Sequence, residues 1–326
     1  AWIDIKSRWD NDPVGWDWIN NGKEFLWVSE QDGWRHTYRI SRDGKKKTLV
    51  TAGNYDVISP VRIDEKNNTY YFMASPDNAT QSYLYKIALD GKGKAVRVTP
   101  ENQSGTHSYD ISPNAKFGKH QFSSAKTAPM QEWVAFPKHQ AIDPANSIAQ
   151  SASKINALPM NIEFFKVTTK EGVEVDAWMV KPTNFDPNKK YPIVYMVYGE
   201  AAGSTVRDAY GTGRNRLYAG NMAEDGYIYA SMDNRGTPSP KGRAWRKAIY
   251  RSIGTINIRD MSGAATAMAE KFSFIDTSRV AVHGWSGGGS STLNLLFQYP
   301  QQFKTGISVA AVANQLTYDN IYQERY

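Results

Sequence analysis

Cysteine is absent from this sequence and histidine is scarce, with five among 326 residues. The first absence excludes disulfides and thiolate metal sites but leaves the compartment open, since a cysteine-free chain suits the periplasm as well as the cytoplasm. No apolar run reaches membrane-spanning length, and the opening Ala1-Trp2-Ile3-Asp4 has neither the basic region nor the hydrophobic core of a signal peptide. A large excess of charge is also missing: 39 Lys and Arg stand against 32 Asp and Glu, for a net +7. The densest basic groups are Lys45-Lys46-Lys47, after an Asp43-Gly44 turn, and Arg243, Arg246, Lys247 and Arg251. No recognition motif accompanies them, so they read as a turn tip and a solvated face, and no nucleic-acid partner is expected. The scarcity of histidine has a position too: none follows His283, and Asp319 is the only aspartate after residue 286.

What is present is apolar enough, at 40% hydrophobic residues, to build two cores, so two domains are expected. The first is repetitive. Asn21, Asn68 and Ala115 recur every 47 residues, each just before an aromatic-rich strand pattern (Glu24 to Val28, Thr69 to Met73, Phe117 to Phe122). Tyr38-Arg39-Ile40 before Asp43-Gly44 is matched at the same period by Tyr85-Lys86-Ile87 before Asp90-Gly91. Short strands at this period, with a turn after each pair, predict four-stranded propeller blades over residues 1–145; a meander of ordinary hairpins is the alternative. About three blades are present, counting partial ones, whereas propellers close with four to eight. Together with the missing initiator methionine, this leads us to expect an excerpt of a longer protein.

Between Pro137 and Pro159 the pattern lapses into Ala, Ser, Gln and Asn, which sets the boundary, and residues 146–326 change character. A hairpin over Ile162 to Val167 and Val173 to Val180 precedes buried runs at Ile193 to Tyr198, Tyr227 to Met232, Val280 to Val282 and Ile307 to Val312. Ile258, Met261, Ala265, Met268 and Phe272 are spaced as one face of a helix. Strands without alternation, separated by amphipathic helices, predict a mostly parallel sheet covered on both faces, the α/β-hydrolase arrangement in part.

Within that pattern, Gly284-Trp285-Ser286-Gly287-Gly288 follows the Val280–Val282 strand and opens a helix carrying Leu293, Leu296 and Phe297. Strand, tight turn and helix are the context of a nucleophile elbow, in which small neighbours let a base and a substrate carbonyl approach Ser286 and the amide of Gly287 faces a developing oxyanion. A glycine-rich anion loop before a helix is the plainer alternative. Of the histidines, His283 would pack beside the elbow without facing the serine oxygen, and His36, His107, His120 and His139 read as turn or surface residues of the repeats. None is assigned as a base. As written the chain lacks a complete triad, and at best the residual catalysis of an oxyanion hole without its base is expected.

Four separated segments, Tyr191 to Gly199, Asp233-Asn234-Arg235-Gly236-Thr237, Gly284 to Gly288 and Tyr318 to Tyr326, resemble in order and spacing the prolyl oligopeptidase family of serine peptidases, dipeptidyl peptidase IV branch. The resemblance is strong over about residues 160 to 326. It implies an enzyme that releases N-terminal dipeptides after proline or alanine, through an acyl-enzyme on Ser286. It places Tyr198 with the Gly287 amide in the oxyanion hole, and Tyr318, Tyr322 and Val312 around the residue before the scissile bond. The residues alone would make Tyr198 an aromatic strand end, and Tyr318 with Tyr322 an amphipathic helical pair. The implied partners are peptides with a free N-terminus, with a homodimer possible; the implied location is periplasmic or otherwise extracytoplasmic, and no cofactor or metal is called for. The branch's amine-binding glutamates lie upstream of the matched region, and Asp64-Glu65 does not replace them. Two departures stand out: Gly287 in place of the aromatic residue that follows the nucleophile in the branch, and Glu200-Ala201 in place of glycine-proline. An oligopeptidase or acylaminoacyl peptidase of the same family, or a non-catalytic propeller binding protein, remain as alternatives.

Overall fold

The computed structural model describes residues 16–152 and 160–326. The chain divides into two compact units: residues up to Leu158 with Asp208–Tyr210 and Pro240–Ala244, and Pro159–Arg207 with Gly211–Ser239 and Trp245–Tyr326.

Three four-stranded antiparallel sheets, each a meander of consecutive strands, build the described first unit. They are β1 (Trp16–Ile19) to β4 (Lys47–Leu49) through β2 (Glu24–Ser29) and β3 (His36–Ser41); β5 (Val57–Asp64) to β8 (Val96–Arg97) through β6 (Thr69–Ala74) and β7 (Tyr83–Ala88); and β9 (Thr106–Ile111) to β12 (Gln140–Ala141) through β10 (Phe117–Ser124) and β11 (Thr127–Ala135). These are propeller blades. The 47-residue period has a backbone cause: Asn21, Asn68 and Ala115 all sit at positive φ (52°, 49°, 50°), where the turn between the first two strands of each blade demands a left-handed residue. Successive side chains of a strand point to opposite faces, and β6 buries both. Tyr70, Phe72 and Ala74 join a cluster with Ile19, Leu26 and Val50, whereas Tyr71 and Met73 join Leu84 and Ile111. Rings fill both layers: Tyr70 and Phe72 stack along β6 with centroids 5.5 Å apart, and Tyr71 meets Phe136 of the third blade edge to face at 5.5 Å. A short helix, α1 (Ile148–Ala152), follows the third blade.

The second unit is a six-stranded mixed sheet in the order β13-β14-β16-β15-β17-β18. Its hairpin, β13 (Ile162–Thr168) with β14 (Glu174–Val180), is antiparallel, and β14 meets β16 (Ile228–Asp233) antiparallel as well. From β16 onward through β15 (Tyr191–Met196), β17 (Ile275–Trp285) and β18 (Thr305–Val309) the strands are parallel. Between β16 and β17 come α2 (Gly242–Lys247) and α3 (Ile256–Lys271), and α4 (Gly287–Gln298) and α5 (Asn320–Arg325) follow β17 and β18. Helix α3 lays Ile258, Met261, Ala265 and Met268 into the core with Val175, Ile193, Ile228 and Val282. This is the α/β-hydrolase arrangement. In α4, Leu295 is fully buried and Leu296 packs against the core, whereas Phe297 is 77% exposed. None of the described helices is long and apolar enough to cross a membrane.

Candidate active site

Strand β17 ends at Trp285 and α4 begins at Gly287, with Ser286 alone between them at φ 57° and ψ −118°. Side chains avoid that conformation, which costs of order 1–3 kcal/mol, and it persists only where the surroundings over-determine it. Here the Ser286 N–H donates to Val309 O (2.9 Å), and its carbonyl accepts from the Ser290 N–H (3.0 Å). The glycines are required by close backbone approach. A Cβ at Gly284 would overlap the backbone of Gly288 and the Val197 carbonyl, and one at Gly288 would overlap the same carbonyl. The ends of β15 and β17 and the first turn of α4 thus touch backbone to backbone at the carboxyl edge of the parallel strands, where open α/β sheets form their crevice. Gly287, the first residue of α4, has an amide that no helical carbonyl can reach.

Tyr198 lies two residues beyond β15, and its carbonyl is fixed to α4 by a hydrogen bond from Ser291 Oγ (2.9 Å). Burial pushes its hydroxyl up to about 12, with the Glu200 carboxyl and the Tyr318 ring adding to the shift. Tyr318 precedes α5, and Asp319 caps that helix by accepting the Tyr322 N–H (2.9 Å). The Tyr318 and Tyr322 rings meet edge to face with centroids 5.5 Å apart. Tyr322 is 7% exposed and donates its hydroxyl to Glu200 Oε2 at 2.5 Å. A Cβ at Gly287 would overlap that same carboxyl. The two departures from the branch, Glu200 and Gly287, are therefore in contact. Val312 lies beyond β18, which the chain leaves at Ala310 (φ 48°), and both of its backbone polar groups bond the Ser290 hydroxyl. Glu200 is the residue that sequence reasoning did not assign, although a charged side chain directly after a core strand was the available signal.

None of the described hydrogen bonds links a histidine to Ser286. His283 stacks on Tyr229 (5.7 Å, 7°) and bonds its hydroxyl through Nε2 at 3.1 Å; burial holds the imidazole down at about 4. Asp319, the one aspartate after the elbow, is engaged as a helix cap.

His36, His107 and His120 are buried at 2%, 3% and 0% exposure, contrary to the expectation of turn or surface residues. The reason is that face-to-face blades cover both sides of a strand, while partners engage the rings: Asp32 for Nδ1 of His36 (2.7 Å), whose Nε2 is buried without a hydrogen bond, and for the others a chain running Gln103 O, His107, His120, Glu132 with links of 3.0, 2.8 and 2.8 Å. Against the cost of its burial, Glu132 is held below the usual carboxylate range by His120 and by the Ile148 amide. Burial holds both imidazoles below the ordinary histidine value, His107 at about 3, and Glu132 works against that shift at His120. His120, Glu132 and His139 bring ligand-type atoms within 4.8 Å of one another, but both nitrogens of His120 are already engaged in this chain.

Residues 1–129 match the family profile of the dipeptidyl peptidase IV N-terminal region, and residues 216–326 match that of the prolyl oligopeptidase family. The chain belongs to the prolyl oligopeptidase family. Within that family it is dipeptidyl-peptidase-IV-like. It is 30% identical over 305 residues to the probable dipeptidyl-aminopeptidase B of Neurospora crassa, covering 92% of this chain and 32% of that one. It is 29% identical over 313 residues to dipeptidyl peptidase 4 of Trichophyton tonsurans, covering 94% and 39%. The crystal structure of Porphyromonas gingivalis dipeptidyl peptidase 4 superposes with a TM-score of 0.81 at 29% identity, over 95% of this chain and 43% of that one. The chain thus spans about a third to two fifths of the length of the curated family members it matches.

Proposed function

We propose that the protein is a serine peptidase that releases dipeptides from free N-termini, after a small residue such as proline or alanine, through an acyl-enzyme on Ser286. The observation that carries this reading is the backbone of Ser286 itself. A non-glycine residue held at φ 57°, ψ −118° between a parallel strand and a helix lifts its hydroxyl clear of the sheet, at a cost that a merely structural serine would not justify.

In this reading Ser286 Oγ attacks the substrate carbonyl and gives its proton to a histidine outside residues 1–326, in a protein as long as the relatives. The oxyanion is held by the Gly287 amide and the Tyr198 hydroxyl, which burial keeps protonated and donating at neutral pH. Tyr318, Tyr322 and Val312 surround the residue before the scissile bond. Action on free N-termini and a site of action outside the cytoplasm rest on the family.

In the full-length protein, Ser286→Ala should abolish hydrolysis of a glycyl-prolyl chromogenic substrate, and retained activity would overturn the assignment. N-acetylation of the substrate should also stop cleavage; equal hydrolysis of the blocked peptide would point instead to an oligopeptidase or acylaminoacyl peptidase.

A further inference from the structure

Glu200 is 6% exposed, and among the described residues its carboxyl accepts a single hydrogen bond, from Tyr322 to Oε2. None of the described ion pairs includes it. A carboxylate offers about four acceptor positions, so most of its capacity is unused. Burying such a group without a cation is costly, and burial holds the Glu200 carboxyl above the usual range while the Tyr322 hydroxyl pulls the other way. Packing alone does not call for an acid here, because an apolar side chain of the same volume would avoid that cost. The position is also specific. The carboxyl lies against Gly287, next to the strained Ser286, and adds to the upward shift of the Tyr198 hydroxyl. With no side chain at residue 287, nothing of the elbow's own stands between the carboxyl and a residue acylated on Ser286.

We propose that Glu200 is a specificity-determining residue, whose free acceptor takes a hydrogen bond from the side chain preceding the scissile bond, so that donors (a hydroxyl or an ammonium) are favoured over apolar groups of equal size. This rests on the reading of Tyr318, Tyr322 and Val312 as the pocket for that residue. Uncharged and charged donors use the same acceptor, and they differ in what the acceptor must supply: a lone pair for the hydroxyl, a negative charge as well for the ammonium.

The size-matched series glycyl-alanyl, glycyl-seryl and glycyl-2,3-diaminopropionyl p-nitroanilide separates these cases in the full-length enzyme. We expect kcat/KM for the seryl or diaminopropionyl substrate to exceed that for the alanyl one by about tenfold or more, the range of a hydrogen bond to a charged group. Glu200→Gln, which keeps shape and an acceptor but loses the charge, should remove an ammonium preference and spare most of a hydroxyl preference. Glu200→Leu should remove both. Ratios within twofold of one another in the wild-type enzyme, or a donor preference that survives Glu200→Leu, would overturn the proposal. If no substrate is cleaved, the peptidase reading fails, and the proposal is then decided by calorimetric binding of the three free dipeptides to the full-length Ser286→Ala protein. The same order of affinities supports it, and equal or absent binding overturns it.

Discussion

The Ser290 hydroxyl donates to the Val312 carbonyl (3.1 Å) and accepts from the Val312 N–H (3.0 Å), so one side chain in the first turn of α4 ties down both polar groups of a residue beyond β18. Ser290 is 5% exposed. The same turn is bound to β18 by the Ser286 N–H on Val309 O and by Ser308 Oγ on Gly289 O (2.9 and 3.0 Å). Removing the Ser290 hydroxyl leaves two backbone groups without their partner, at about 1–3 kcal/mol. Ser290→Ala should therefore lower the denaturation midpoint and, if Val312 walls the substrate pocket, raise KM for a dipeptidyl substrate several-fold with a smaller fall in kcat. A shift in stability with KM unchanged would take Val312 out of the pocket.

Strain at Ser286 makes a prediction of opposite sign. Glycine occupies positive φ without a Cβ penalty, so Ser286→Gly should relax the elbow and stabilise the protein by about 1 kcal/mol, or roughly 2–4 °C in Tm. Ser286→Ala, with its Cβ in place, should show no such gain. Both variants should be inactive. Thermal melts of the two side by side provide the check, and equal Tm values would mean that the backbone carries no strain for the nucleophile.

Much of this was legible in the sequence because the backbone demanded particular residue types. Gly44 and Gly91 mark equivalent turns at φ 74° and 75°, and Asn21 and Asn68 mark another, which is why the period could be read even though Ala115 breaks the residue pattern. The elbow was legible for a related reason: Gly284 and Gly288 are glycines because the Val197 carbonyl leaves no room for a side chain. What the sequence hid depends on contacts between distant segments. The Glu200–Tyr322 hydrogen bond joins residues 122 positions apart, and no local pattern announces it. Alternation along a strand likewise cannot tell whether its second face meets water or another blade, so His107 and His120 read as surface residues although both are buried.

Tyr198 tests the oxyanion assignment without disturbing the fold. Its backbone is held by Ser291 and its hydroxyl is pushed up to about 12, so at neutral pH it is a protonated donor in a largely dry place. Loss of one such donor costs about 10²–10³ in kcat. In the full-length enzyme Tyr198→Phe should show that loss with KM within about twofold of wild type. Unchanged kcat would leave the Gly287 amide as the only assigned donor.

Four buried or half-buried imidazoles, His107, His120, His139 and His283, are held below the ordinary histidine value and set the response to acid. Burial holds His107 down at about 3 and His139 and His283 down at about 4, against an ordinary value of 6.5. A histidine whose folded pKa is depressed binds protons more readily when unfolded, so its contribution to stability is present above 6.5 and is lost as pH falls toward the folded value. Each contributes a slope of up to about 1.4 kcal/mol per pH unit in that window. Stability should therefore be nearly flat above pH 7 and fall steeply between about pH 6.5 and 4. His283→Phe keeps a ring for stacking on Tyr229 and removes one of these titrations, at the cost of the hydrogen bond to the tyrosine hydroxyl. Its urea midpoint should be lower than wild type at pH 7.5, and the gap should narrow or reverse at pH 5. A gap that stays constant over that range would show that His283 keeps the same protonation state in the folded and unfolded chain, and would assign the acid sensitivity to the propeller histidines alone.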